Sequence, residues 1–359
     1  MFKKLSVLFA LLALPVLISG CLLQVGPKKN AQSGTDGGVF KSINKGAGWQ
    51  QKALIPTVSG KPRSFAGVNA ASMAMDPSDR LAVYFGSEAN GLVYTYDGGA
   101  NWQTADTLVK GTVADVTVDP KNKCIIYAAV GNRLYKSTDC NRTWNQAYYD
   151  NDLMAVVDAV AIDHFDSNNI YIGVSRGDIV KSSNGGADWQ TIYRAGNRIR
   201  KILVDPNDSR NIYVATNVKG VFRSQDAGAN WAEMKSLMDT VKEHKLGTDV
   251  KDMIVARDES RTIFLATFYG LLRSKDGGET WEKIELIPTQ NKAAINALAV
   301  NSVNTQEIYY VTNTTFYRST DGGANWATVK LPTSRAGWKL LLDPEDPNII
   351  YMGVKGLAK

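Results

Sequence analysis

The chain has 359 residues, 44% of them hydrophobic, and 41 basic against 35 acidic side chains give a formal charge of +6. That apolar content is ordinary for a globular protein and supports a sizeable core. A charge this mild, with no basic run interleaved with aromatics, argues against a nucleic-acid partner, and the length suggests two domains unless the chain is one closed repeat array.

At the N-terminus, Lys3 and Lys4 precede an apolar run from Leu5 to Ile18, followed by Ser19-Gly20-Cys21. A charged start, a short apolar stretch and small residues at a cleavage point predict a signal peptide over residues 1–20. The run is short for a membrane span, which needs about 20 residues. The ending Ile18-Ser19-Gly20-Cys21 resembles a bacterial lipobox. That resemblance implies that Cys21 is lipid-modified and becomes the first residue of an exported, membrane-anchored lipoprotein on the periplasmic or cell-surface side. The alternative is an ordinary secretory leader in which the cysteine is incidental. Residues 21–36 read as a polar tether, and residues 37–359 as one body.

Within that body one eight-residue stretch returns seven times. It ends at Trp49 (SINKGAGW), Trp102 (TYDGGANW), Trp144 (STDCNRTW), Trp189 (SSNGGADW), Trp231 (SQDAGANW), Trp281 (SKDGGETW) and Trp326 (STDGGANW). The steps between tryptophans are 53, 42, 45, 42, 50 and 45 residues, a period that marks an array of supersecondary units. Each unit has an apolar run ending in Asp-Pro or a relative, such as VADVTVDP (113–120). A β-rich run follows, such as CIIYAAV (124–130), then a short run before the box, such as RLYKS (133–137), and a run from the tryptophan onward, such as WNQAYY (144–149). β-branched and aromatic residues fill the runs, and Gly, Asn, Asp and Pro fill the joints. Each unit therefore predicts a four-stranded antiparallel meander, and such units at this period are propeller blades.

The box is the turn from third to fourth strand. Its Asp, as in Asp97, Asp139, Asp226, Asp276 and Asp321, is placed to accept backbone N–H groups, with Asn44 and Asn184 in the other two copies. Glycines supply positive φ; Asn141 stands where Gly is expected and is the next best residue there. The tryptophan is expected to lock the turn onto its own sheet. One carboxylate per turn is too few for a calcium loop.

The ends hold half units. Residues 338–356 supply first and second strands, and residues 37–54 supply third and fourth. Joined, they make a seventh blade that leaves no open sheet edge. In this topology the box turns and the Asp-Pro turns share one rim. The other rim carries the long loops 51–70 and 232–251. In the latter, Met234, Leu237, Met238 and Val241 fall at helical spacing, either as a packed helix or as an apolar partner contact. Basic residues on that rim, Lys61, Arg63, Arg194, Arg198, Arg200, Lys242 and Arg335, are a candidate partner-binding surface, against the plainer reading of solubility charge. The base before each box Ser (Lys41, Lys136, Lys181, Arg223, Arg273, Arg318) recurs with the repeat and reads as structural. Four places before each Asp-Pro lie Ser72, Asp115, Ala159, Lys201, Asp252, Ala297 and Lys339, and these should line a central channel with Lys201 paired to Asp252. Cys124 and Cys140 are a candidate disulfide: with Gly131-Asn132 as a hairpin turn, Cys124 faces Asp139, one residue from Cys140. Two histidines and no Cys/His spacing give no metal site. No glycine-rich phosphate loop or nucleophile elbow is present, and no cofactor is implied.

The eight-residue motif resembles the Asp-box, or BNR repeat, S/T-x-D-x-G-x-x-W. The chain is similar to three Asp-box groups. Sialidases have six blades and an Arg-Ile-Pro-type signature, and both differ here. Xyloglucanase-type glycosidases use paired propellers with catalytic aspartates across the cleft between them, and this chain supplies one propeller. The photosystem II stability/assembly factor-like proteins, with sortilin-type propellers as more distant relatives, look closest in length, leader and blade count. That resemblance implies a seven-bladed, non-enzymatic scaffold that binds a protein partner. The alternative is a carbohydrate-active or glycan-binding propeller, for which Asp115, Asp158 and Asp252 are the innermost-strand acids that would have to face one another.

Overall fold

The computed structural model describes residues 35–289 and 292–357. The signal peptide, Cys21 and the tether as far as residue 34 lie outside them. Seven four-stranded antiparallel sheets follow one another in chain order. Blade 1 runs from Ala70–Asp76 to Gln103–Thr104, blade 2 from Val113–Asp119 to Asn145–Tyr149, and blade 3 from Val157–Ile162 to Gln190–Arg194. Blade 4 starts at Ile199–Val204, blade 5 at Val250–Val255, blade 6 at Ala297–Val300 and blade 7 at Ala336–Leu342. The innermost strands pack neighbour on neighbour from blade 1 to blade 7 and back to blade 1, closing a ring.

Blade 7 is composite. Its second strand, Ile350–Lys355, pairs with Ala336–Leu342 on one side and with Val39–Ser42 on the other. Four of its side chains, Ile350, Tyr351, Met352 and Val354, are fully buried. The seam is therefore zipped by backbone bonds and core packing together. Thr35 and Asp36, read as the end of the tether, belong to the body. The Asp36 carboxylate accepts the Ser334 N–H (2.9 Å), and its carbonyl accepts the Thr333 hydroxyl (2.6 Å).

The box turns explain themselves in hydrogen bonds. Ser319 Oγ accepts the Gly323 N–H (2.8 Å) and donates to Asp321 Oδ1 (2.8 Å), which accepts the Asn325 N–H (2.9 Å). Gly322 and Gly323 hold φ of +72° and +96°, where a side chain would strain the backbone. The Asn copies keep the pattern, with Asn44 Oδ1 accepting Gly48 N–H (2.8 Å) and Asn184 Oδ1 accepting Asp188 N–H (2.9 Å). In the exceptional copy, Cys140 and Asn141 take positive φ. The Asn325 N–H first, then its side-chain amide, holds the Asp321 carboxyl down at about 2. The Thr143 hydroxyl does the same for Asp139, also about 2.

Each box also clasps the preceding blade. Lys41 Nζ and the Tyr351 hydroxyl of blade 7 both donate to Gly98 O of blade 1, at 2.8 and 3.0 Å. Lys136 and Tyr127 of blade 2 repeat this at Gly185 O, and Arg223 and Tyr213 of blade 4 at Gly277 O. The tryptophans do more than lock onto their own sheet: Trp326 meets Tyr310 of its own blade (4.9 Å), while its indole N–H donates to Glu285 O of the preceding one (2.9 Å). Trp231 stacks on Tyr193 of the preceding blade (5.6 Å), Trp49 meets Phe316 (5.1 Å), and the Trp189 indole N–H donates to Ala147 O (2.8 Å). A large flat side chain at the outer turn reaches the neighbouring blade because the core of a propeller lies between blades. One cluster accordingly joins Tyr127 and Leu134 of blade 2 to Val157 and Ile172 of blade 3.

Blade 4 departs from the repeat. Its fourth strand is only Ala232–Glu233, and a helix, Lys235–Glu243, takes the place of the rest. Leu237, Met238 and Val241 are buried against blades 4 and 5, so the helical spacing marks a packed helix.

Candidate functional site

The mouth of the channel is built by a recurring slip in register. In blade 3, Val157 pairs with Val174 but Ala159 pairs with Gly173, leaving Asp158 as the extra residue of a bulge. The same slip leaves Ala71, Ala114, Arg200, Lys251 and Trp338 unpaired in blades 1, 2, 4, 5 and 7. In blade 6, Asn296 holds the equivalent place, its N–H donating to Val311 O (2.9 Å). A bulged residue breaks the alternation of the strand and re-aims its side chain. All seven of these residues line one cavity of about 870 Å³ at the mouth.

The ring does not repeat in chemistry. Two alanines side by side leave a low sector between Trp338 and Asp158, and the rest is charged, amide or aromatic. Asp158 is bidentate to Arg198 (2.6 and 2.8 Å). Asp249 pairs with Lys251, and Glu88 with Lys355. Lys355 also lies over the Trp338 ring (4.4 Å to its centroid), and Lys251 over Phe268 (4.6 Å). Arg200 and Lys339 line the same cavity with no carboxylate in ion-pair range among the described residues, which leaves the mouth with an excess of positive charge. Burial pushes the Asp158 carboxyl up against the opposing pull of Arg198.

One residue deeper, the predicted channel positions are where the spacing puts them, and Lys201 pairs with Asp252. Asp252 Oδ1 also accepts its own neighbour's N–H, Met253 (3.0 Å), and Oδ2 that of Leu298 in the next blade (3.3 Å). Asp115 does the same with Val116 (2.9 Å) and Val160 (3.0 Å). In both cases the channel residue of the next blade is alanine, Ala159 or Ala297, which leaves room for the acid to reach across. These two acids stitch adjacent blades. Burial pushes the Asp115 carboxyl up, with the Val160 N–H acting against it, and burial likewise pulls the Lys339 ammonium down.

Of the basic residues read as a partner surface, the structure brings only Arg198 and Arg200 to the mouth cavity. Arg194 lies on an outer strand beside Asp178 (3.3 Å), and Lys242 on the helix beside Asp239 (3.9 Å). Lys61 and Arg63 stand exposed in the connection from blade 7 to blade 1. Arg335 is a correction: at 7% exposure it is buried, donating to Asn69 Oδ1 (2.7 Å) and Gly67 O (3.3 Å), because the returning N-terminal segment covers it. The Cys124 and Cys140 side chains meet, and Cys140 N–H donates to Cys124 O (3.3 Å). Among the described residues no group of three His, Cys, Asp or Glu is placed to hold a metal. Residues of the mouth that the repeat reading missed, Asp158 as a rim residue, Lys251, Asn296 and Trp338, all lie five places before the Asp-Pro-type turn.

Seven blades, seven box turns and a composite closing blade define an Asp-box, or BNR-repeat, seven-bladed β-propeller. A family profile described as sortilin, neurotensin receptor 3, matches residues 269–357. No curated protein matches the chain in sequence. Among solved structures, the GH74 xyloglucanase from Xanthomonas campestris is similar at a TM-score of 0.63 and 17% identity, covering 80% of this chain and 51% of that one. YCF48 bound to D1 peptide is similar at 0.60 and 15%, covering 84% of this chain and 95% of that one. The extracellular domain of a hybrid two component system from B. thetaiotaomicron is similar at 0.60 and 15%, covering 86% and 44%. The chain thus spans about half the length of the GH74 enzyme. No helix among the described residues is long and apolar enough to cross a membrane.

Proposed function

We propose that this chain is an exported, lipid-anchored scaffold that holds a segment of a protein partner in the mouth of its channel and performs no chemistry on it. The observation that carries this reading is the condition of the acids. Asp158, Asp249, Glu88 and Asp252 each sit against a base, and Asp115 is held by two backbone N–H groups. Glycoside hydrolysis needs two carboxylates about 5–10 Å apart and aimed at one bond, one of them a proton donor. Here each acid is instead engaged in holding the ring. Similarity along nearly the whole length of a propeller seen with a peptide supports a protein segment as the occupant. The anchor at Cys21 rests on the leader sequence.

A glycan remains the second reading because Trp338 and Phe268 lie in the mouth and sugars stack on aromatic faces. Each ring is covered by an ammonium group, which a sugar would have to displace. A photo-cross-linking residue in place of Ala114, in the mouth, is expected to capture a membrane-associated protein in cells, and one in place of Ile43, on the box rim, is not. Capture from Ile43 alone overturns the reading. Release of sugar from xyloglucan that is lost in Asp158→Asn favours the carbohydrate alternative. Cys21→Ala is expected to move the protein from the membrane to the soluble fraction, and persistence at the membrane after a salt wash would refute acylation as the main attachment.

A further inference from the structure

Charge is segregated between the two rims. The seven Asp-Pro-type turns, the seven box turns and the six bases that precede the boxes together hold twenty acidic and fifteen basic side chains. Outside those turns the described residues carry twenty-one basic and fifteen acidic side chains. The box rim is thus acidic, while the lining of the mouth holds five bases (Arg198, Arg200, Lys251, Lys339, Lys355) against three acids (Glu88, Asp158, Asp249).

The mouth side also holds the start of the body. Asp36 is pinned to Thr333 and Ser334, in the connection between blades 6 and 7, and the Gly37 N–H donates to Ala66 O (2.7 Å) in the connection between blades 7 and 1. The described chain therefore enters the disc at its mouth side. Cys21 precedes Thr35 by fourteen residues.

Beside that entry point, three successive connections leave the mouth ends of the outermost strands of blades 7, 1 and 2. They carry exposed apolar side chains: Val58, fully exposed; Val109; and the pair Leu153 (76%) and Met154 (87%). The first connection, residues 53–69, contains Lys61 and Arg63 and no acid, and Lys110 follows Val109 in the second. The acids on the other two are Asp106, Asp150 and Asp152, and Asp150 is taken up by Arg176 (2.7 Å). Exposed apolar residues on the opposite rim, Ile43, Phe165 and Val303, lie among acidic turns.

We propose that this sector of the mouth side seats on an anionic lipid surface. Leu153, Met154, Val109 and Val58 enter the headgroup region, and Lys61, Arg63 and Lys110 meet lipid phosphates. Apolar burial and attraction to anionic lipid add in such a contact, each basic residue contributing about 1 kcal/mol. The seat turns the mouth toward the bilayer, so the segment it captures is a membrane-proximal one. The lipid anchor would hold the protein close to the surface, but the contact itself does not require it.

The test uses the mature chain with Cys21→Ser, produced without the leader and therefore without an acyl group, and flotation with phosphatidylcholine vesicles with and without phosphatidylglycerol. Binding is expected to the anionic vesicles only and to be released by salt. Lys61→Glu with Arg63→Glu should weaken it at least tenfold, at about fivefold for each base lost. Leu153→Ser with Met154→Ser should weaken it by about tenfold or more, and Ile43→Ser should leave it unchanged. The proposal is overturned if the chain fails to float with anionic vesicles. It is equally overturned if the mouth-side variants float like the parent, or if Ile43→Ser is the variant that releases it. Loss of the protein cross-link at Ala114 with flotation intact would sink the scaffold reading and leave the lipid seat standing.

Discussion

On the box rim, seven turns repeat one arrangement: a Ser or Thr hydroxyl holds the N–H four residues on, and an Asp or Asn oxygen holds the next turn of backbone; in four of them the preceding blade also donates a base and a tyrosine to the turn carbonyl. On the mouth rim the corresponding seven positions read Ala71, Ala114, Asp158, Arg200, Lys251, Asn296 and Trp338: two alanines, an acid, two bases, an amide and an indole. The same strands supply both rims. A feature that every blade needs in order to hold its neighbour must recur at the repeat period. A feature that recognises one ligand has no reason to recur. The box rim is thus where substitutions should cost stability, and the mouth rim where they should cost binding.

The strongest challenge to that division is at the seam, which belongs to neither rim. Deleting Asn348–Lys359 removes the strand that joins the two chain ends, and with it Ile350, Tyr351, Met352 and Val354, each worth roughly 1.5–3 kcal/mol when buried. That sum rivals the ~5–15 kcal/mol stability of a whole domain. The truncated chain is expected to be insoluble or unfolded by circular dichroism, and a soluble product with the parent melting temperature would disprove closure by the composite blade.

Next in size is the cysteine pair of blade 2, proposed as a disulfide that staples one box turn. Its sequence separation is 16, and a loop of that length is worth on the order of 3 kcal/mol in the chain-entropy model. Cys124→Ala with Cys140→Ala should lower the midpoint of urea unfolding accordingly. Both thiols alkylating without reductant in protein from an oxidising compartment would refute the bridge. A smaller loss, about 1–2 kcal/mol, is expected for Ser319→Ala, because the buried Gly323 N–H loses its acceptor. A melting temperature equal to the parent's would show that the box is not what holds the rim.

Acid should act on the same rim. Asp139 and Asp321 titrate at about 2 in the fold, below the ~3.9 of an unfolded chain. Their contribution is therefore present above about pH 4 and lost as pH falls toward 2. Asp321→Asn keeps the N–H acceptor, as Asn44 and Asn184 do, and removes the titration. Its melting temperature should fall less steeply than the parent's below about pH 4, and an identical slope would exclude Asp321 as a contributor. The smallest stability effect belongs to the mouth: Arg200→Ala should stay within about 0.5 kcal/mol of the parent while abolishing cross-linking from Ala114. Destabilisation by several times that amount would erase the distinction between the rims.

The sequence carried the repeat, and the repeat carried the fold. Trp spacing gave the blade count, and half units at the two ends gave the composite blade. The alternation four places before each Asp-Pro placed Lys201 opposite Asp252. All of these depend on local pattern, which side-chain chemistry writes directly into the chain. The box tryptophans were legible as turn residues but not as links between blades, since nothing local says which sheet lies beyond the turn. The mouth ring was hidden for a sharper reason. Strict alternation sends the residue before a channel position to the opposite face of the strand, and only a one-residue slip in pairing turns Asp158, Lys251 and Trp338 back toward the mouth. Register is a relation between two strands, so no single stretch of sequence records it. Arg335 shows the same limit in reverse. It reads as a surface base, yet it is buried because residues 35–37 return to cover it from the far end of the chain, a contact that exists only once the ring has closed.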